Sequence, residues 1–358
     1  MSATPGAALG PAAPGLAAVS AARLALRRSL LLAGAAAGLL LLFLADVGTG
    51  PGALGWGQIL AALGDAEAPV RHVVIVREIR LPVALLAVVV GAMLGLAGAQ
   101  MQTILDNPLA DPFTLGLSSA AGVGASVAIV TGLSVVPGAG PALVAANAFA
   151  FALGAALLVH GFTLLRGATA ETMILFGIAL MFTFNALLAL LQYRASETQL
   201  VQIVFWMMGS LQRASLPGIA AAAAILLGAA LLLWRRRWAL TAMRFGDDRA
   251  ASLGVDPRRL RLEVLAIVAL LAATAVSLVG VIGFVGLVGP HVARLLVGED
   301  QRWFAPMSAL AGAAMLSASS IAAKAISPGI IYPIGIVTAL VGVPFFLSLV
   351  LSRRRIGA

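Results

Sequence analysis

The chain has 358 residues, 61% hydrophobic and only 10% charged, with a net charge of +9 and no cysteine. Its mean hydropathy of +1.05 and uncharged runs such as 83–101 and 217–234, each near the roughly 20 residues that cross a bilayer, exclude a soluble protein. The missing cysteine excludes disulfides and thiolate metal sites, and the lack of strict polar alternation excludes a β-barrel.

Residues 1–22, rich in Ala, Pro and Gly, are expected to form a disordered tail. Arg23, Arg27 and Arg28 then precede an apolar run at 29–46. It reads as an uncleaved first helix, because the tail before it is too extended for a signal peptide. Nine further spans follow at about 82–105, 114–134, 141–165, 170–193, 217–238, 260–279, 281–297, 303–326 and 332–352. The predicted fold class is therefore an all-α polytopic membrane protein with ten transmembrane helices, residues 23–358 forming one transmembrane domain. An even span number returns both termini to one side. Seventeen arginines fall on that side and six basic residues on the other, which makes both termini cytoplasmic by the positive-inside rule. The basic residues thus orient the chain in a lipid bilayer, and no nucleic-acid partner is expected.

In the second span Gly91 and Gly95 form a GxxxG pair, a weak signal because such pairs arise often by chance. The turn after it, LDNPLADPF (105–113), has Pro108 and Pro112 to end helices and Asp106, Asn107 and Asp111 to cap them. The fifth span carries Asn185 and Gln192, polar but uncharged. A cytoplasmic loop at about 239–259 holds RFGDDRAASLGVD (244–256). There Asp247 and Asp248 suit a helix N-terminus, Gly254 suits its end, and Ala250, Ala251 and Leu253 give it a small apolar face. The eighth span places glycine at 280, 283, 286 and 289 before Pro290, which suits either close packing or a broken helix.

No GxxxxGK[ST] occurs, and His72, His160 and His291 show no ligand spacing. Most spans hold no acid, unlike a proton-coupled carrier working alone. No catalytic pair within the spans marks an intramembrane enzyme. The sequence offers a pathway without an engine.

RLPVALLAVVVGAMLGLAGAQMQTILDNPLADPFTLGLSSAAGVGA (80–125) resembles the permease subunits of type II ABC importers, the FecCD family that imports ferric siderophores, heme and vitamin B12. The resemblance continues in WMMGSL (206–211), GDDRAASLGVD (246–256), GFVGLVGPHVARLLVGED (283–300) and PIGIVTALVGVPFF (333–346), covering nearly all of the chain after residue 29. It implies a type II importer permease fold in the bacterial inner membrane. It also implies a second permease subunit, favouring a homodimer, two separate ABC ATPase subunits and a periplasmic or lipid-anchored substrate-binding protein. This chain itself would bind no cofactor and be no enzyme, with ATP and Mg on the ATPase.

The resemblance also assigns residues. Gly246, Asp247, Ala250, Leu253 and Gly254 would dock into the ATPase as a coupling helix. Arg80 and Lys324, with Arg77 compensating for Val83, would meet the binding protein. Asn185, Gln192, Tyr193, Gly335, Thr338 and Gly342 would line the pathway, while Trp206, Met207 and Met208 read as packing. Ile331 and Tyr332 replace the family's acid and its neighbour before Pro333. The expected cargo is an iron chelate, a ferric siderophore first, with heme and vitamin B12 as alternatives. No clustered His or Cys is present to ligate bare iron, so the whole chelate would pass.

Overall fold

The computed structural model describes residues 16–353 apart from 51, 53, 66, 136–141, 168 and 327–329. The chain opens with α1 (Leu16–Gly48), followed by two short helices, α2 (Trp56–Gly64) and α3 (Val70–Val73). α3 continues through a π-helical stretch, Val74–Arg80, into α4 (Leu81–Ile104). Then come α5 (Leu117–Thr131), α6 (Leu143–Arg166), α7 (Ala170–Arg194), the short α8 (Glu197–Met207) and α9 (Leu216–Arg235). Two small helices, α10 (Arg237–Met243) and α11 (Asp247–Ser252), lead to α12 (Pro257–Val279), α13 (Val285–Val297), α14 (Gln301–Ala325) and α15 (Ile334–Arg353).

Among the described residues, seven helices are long and apolar enough to cross a membrane, and α5, α13 and the Ile334–Phe345 part of α15 are shorter apolar helices. These correspond one for one to the ten expected spans. α1 starts at Leu16, so residues 16–22, expected in the tail, are helical. The Ala- and Leu-rich stretch LAAVSAARLAL favours helix and extends a span already nucleated. Residues 1–15 of the expected tail, with Arg354 and Arg355, lie outside the described residues.

Lipid is as apolar as leucine, so helices in a bilayer associate through close contact rather than water exclusion. The contact here is a glycine seam. A Cβ added at Gly91 would stand 2.6 Å from the Gly312 carbonyl oxygen, one at Gly95 2.2 Å from that of Ser308, and one at Gly98 1.9 Å from that of Gly286. The seam locks α4 against α14 and α13. The GxxxG pair of the second span is thus used, with Gly98 as a third member.

The glycine-rich eighth span combines both of its expected readings. Gly289 packs against the α14 backbone and Gly286 against the Asp111 carboxylate, whereas residues 280–284 are not helical. Phe284 ends that stretch at φ 70°, an unusual angle for a non-glycine residue. Main-chain bonds elsewhere satisfy part of the broken region. The Ser210 amide donates to the Val279 carbonyl (2.7 Å), Ile334 to Gly209 (3.2 Å) and Gly335 to Met208 (3.0 Å). This clasp ties the end of α8, the end of α12 and the start of α15 together.

Candidate functional site

At the end of the bundle that carries α10 and α11, Gly246 takes φ 88° to start α11 and Gly254 takes φ 81° to leave it, both in the region that favours glycine. Ala250 is fully buried under the helix, while Phe245 and Leu253 are 58% and 67% exposed. The apolar face expected of Ala250, Ala251 and Leu253 is therefore split, with one residue anchoring inward and Leu253 pointing out. Asp247 accepts two bonds from the Arg261 guanidinium, both 2.7 Å, and Arg261 Nε also donates to the Ile104 carbonyl at 2.8 Å. Asp247 thus holds α11 onto α12 and the end of α4.

A second clasp lies beside it. Glu299, between α13 and α14, accepts from Arg244, just before α11, and from Arg294 of α13 at 2.7 Å. Arg244 also reaches Asp106 (3.3 Å), and Arg294 donates to Gln102 Oε1 (2.8 Å). Burial pushes the Glu299 carboxyl up, but Arg244 and Arg294 outweigh it and hold it below the usual glutamate range. Neither role was legible from the sequence, where Arg261 counted only as one of the orienting arginines and nothing singled out Glu299. In the 105–113 turn Asn107 accepts from the Leu109 amide and Asp111 from that of Phe113, as expected, whereas Asp106, also expected to cap, pairs with Arg244. Asp111 is buried, and burial raises its carboxyl to about 6.

At the far end, two of the three residues expected to face a binding protein, Arg80 and Lys324, are turned inward, while Arg77 stays exposed. Arg80 is 2% exposed, and its guanidinium donates to the carbonyls of Val47, Gly48 and Gly50. Arg77 donates to Ala62 and Leu63, both at 2.8 Å. The last carbonyls of a helix lack partners and carry negative charge, so each arginine caps a helix, α1 and α2 respectively. Lys324 forms an ion pair with Asp46 at 2.5 Å, its side chain 5% exposed and that of Asp46 fully buried. Ser320 donates to the same carboxylate at 2.9 Å. Asp46 was missed because a single acid at a span's end looks like a boundary marker.

A groove of about 600 Å³ runs along α15, lined by Met207, Met208, Gly283, Ile336, Leu340 and Val343 among others. Of the expected pathway residues only Gly335 borders it. Thr338 is fully buried and donates to the Gly335 carbonyl within its own helix (3.1 Å). Gly342 is packed so closely that an added Cβ would stand 2.4 Å from the Phe284 Cβ and 2.5 Å from its ring. Small residues mark the packed face of α15, and its open face is aliphatic, with Leu340 68% exposed. Asn185 and Tyr193 lie on the exposed surface of α7 and Gln192 is partly exposed there; none lines the groove. Trp206 is buried as expected, but Met207 and Met208 contribute to the groove wall.

A multi-pass helical bundle with a broken span, an open lengthwise groove and a clamped surface helix at one end is the build of a transport subunit rather than an enzyme. Residues 38–352 match the FecCD transport family, and the chain belongs to that family of ABC importer permeases. It is 37% identical to the hemin transport system permease HmuU of Yersinia pestis, over 77% of this chain and 83% of that protein. It is 36% identical to the cobalamin import permease BtuC of Halobacterium salinarum, over 78% and 74%. A solved ABC transporter of metal-chelate type in an inward-facing conformation superposes with a TM-score of 0.78 at 30% identity, covering 90% of this chain and 99% of that one. The fold is that of a type II ABC importer permease.

Proposed function

We propose that this chain is the permease of an ATP-driven importer that carries an intact iron chelate across the bacterial inner membrane, a ferric siderophore first and heme or vitamin B12 as alternatives. The observation that carries the reading is α11, anchored by Asp247 and Ala250 yet presenting Leu253 and Phe245 outward. A short helix clamped to the spans behind it can transmit a push from a partner, and its mixed apolar and charged surface suits a separable interface. The partner is an ABC ATPase, which holds the ATP and Mg and docks on the cytoplasmic side, where both termini lie. A second permease copy completes the pathway, and a periplasmic or lipid-anchored binding protein delivers cargo at the far end. Because Arg80 and Lys324 are committed to a cap and a buried pair, they shape that docking surface from beneath, while Arg77, which caps α2, remains at the surface. The groove is apolar and open, as suits a cargo that is delivered and passed on rather than captured.

The test is uptake of a labelled ferric siderophore, heme and cobalamin by cells with and without the gene. Loss of one on deletion names the cargo. Unchanged uptake of all three in cells shown to lack a second importer overturns the reading.

A further inference from the structure

Directly above the groove, at the far end, is a second pocket of about 230 Å³. It and the groove share a wall, since Gly209 and Ile334 border the pocket while Met208 and Gly335 border the groove. Its charged lining consists of Arg213 and Lys324, with no acid among the described residues. Lys324 is already neutralised by Asp46, so its charge is spent. Arg213 is exposed, lies over the Trp206 ring at 5.7 Å, and has no acidic partner among the described residues. It therefore leaves one uncompensated positive charge at the pocket mouth.

The platform under Arg213 is rigid. Arg213 ends a 3-10 turn, Leu211–Arg213, whose Leu211 is buried and whose Gln212 amide donates to Ser210 Oγ (3.2 Å). Ser210 is bound through its amide to Val279. A guanidinium carried on this fixed turn and lying over Trp206 is placed to pair with a carboxylate or another oxyanion. The pocket is large enough for an acidic group with its waters, and the aliphatic groove beneath is larger.

Resting on the import reading above, we infer that this pocket receives an acidic group of the cargo, with Arg213 as its charge partner and the adjoining groove taking the apolar body. The cargo class is thus an anionic, amphipathic metal chelate rather than a neutral one. The same chemistry would also suit a lipid phosphate, and the test separates the two.

Cells carrying the chain with its partner subunits would be offered hemin and ferric citrate as acidic probes, with hemin dimethyl ester and a neutral ferric trihydroxamate as uncharged ones. The wild type is expected to import an acidic probe. Arg213→Gln should raise its half-saturating concentration about ten-fold or more, the loss of one charge-assisted hydrogen bond, at unchanged chain abundance. Arg213→Lys should recover most of that loss. Preferred import of a neutral probe, or an unchanged half-saturation in Arg213→Gln, overturns the assignment. An equal change for acidic and neutral probes also overturns it, placing Arg213 at a lipid phosphate or a docking protein. Import of no probe by the wild type sinks the chelate reading itself, and this assignment with it.

Discussion

α4 and α7 are equally plausible spans by length and composition, yet 72% of the apolar stretch of α4 is buried and only 11% of that of α7. The difference lies in what each presents to its neighbours. α4 carries Gly91, Gly95 and Gly98 where α14 and α13 approach to backbone contact. α7 presents Leu175, Phe182 and Leu190, all more than half exposed. One half of the bundle is thus a locked block built on α4, α12, α13 and α14. The other, α7, α8 and α15, keeps many of its large apolar side chains facing outward or into the groove. The contrast teaches that the glycines of α4 mark backbone contacts, whereas Gly34 of α1, Gly154 of α6 and Gly228 of α9 face open space, and that the open surface of α7 is written in leucine and phenylalanine.

The contrast is broken most severely at the seam. Gly98→Leu should prevent recovery of folded chain, because the obstacle is main chain and overpacking a core by even a few atoms costs about 1–3 kcal/mol. Leu340→Ala, on the open face, should change stability by no more than about 0.5 kcal/mol. Monodisperse yield in detergent compares the two, and similar yields would mean the halves do not differ.

The next largest effect is expected at the buried pair tied into the locked block. Lys324→Ala leaves Asp46 buried without its counter-charge and should cost about 3–5 kcal/mol, read as a drop in thermal unfolding temperature. Lys324→Met combined with Asp46→Leu should restore most of it, since the charges leave together. Failure of the double variant to recover would show that the pair sets geometry as well as balancing charge.

Asp111 sharpens the comparison with pH. A carboxyl raised by burial favours the folded state below its unfolded pKa near 4, and that contribution is lost as pH rises through about 6. Asp111→Asn should therefore stabilise the chain at pH 8 by at most about 3 kcal/mol and leave it unchanged at pH 4. Glu299, held low by two arginines, has the opposite sign, its contribution being lost as pH falls. Unfolding temperatures of Asp111→Asn and wild type across that range decide it, and parallel curves would refute the assignment.

The smallest effect on stability is expected at Leu253, which touches little and is 67% exposed. Leu253→Asp should leave the unfolding temperature unchanged while uptake is lost and ATP hydrolysis continues. Uptake at the wild-type rate would remove Leu253 from the partner interface.

The span count, the turn at 105–113 and the bounds of α11 were legible because hydropathy, proline and glycine act locally. The destination of a charge was not. Arg80 and Arg77 look like surface charges in sequence, yet both end on helix carbonyls, as does Arg258 on Leu164. An arginine's partner can lie dozens of residues away, and nothing in its own neighbourhood states which helix ends beside it. Polarity misled in the same way on α15, where the Thr338 hydroxyl is satisfied within its own helix. Asp46 and Lys324 are 278 residues apart, a pairing that no local pattern reveals.

The clasp that joins Gly209, Ser210 and Val279 to the start of α15 is made of main-chain atoms alone. Its registration does not depend on which side chains flank it. Leu340, Val343 or the Met208 side chain can therefore be exchanged, and the groove reshaped, without moving the frame on which they hang. The lining of the groove and the architecture are in that sense separately editable in this molecule.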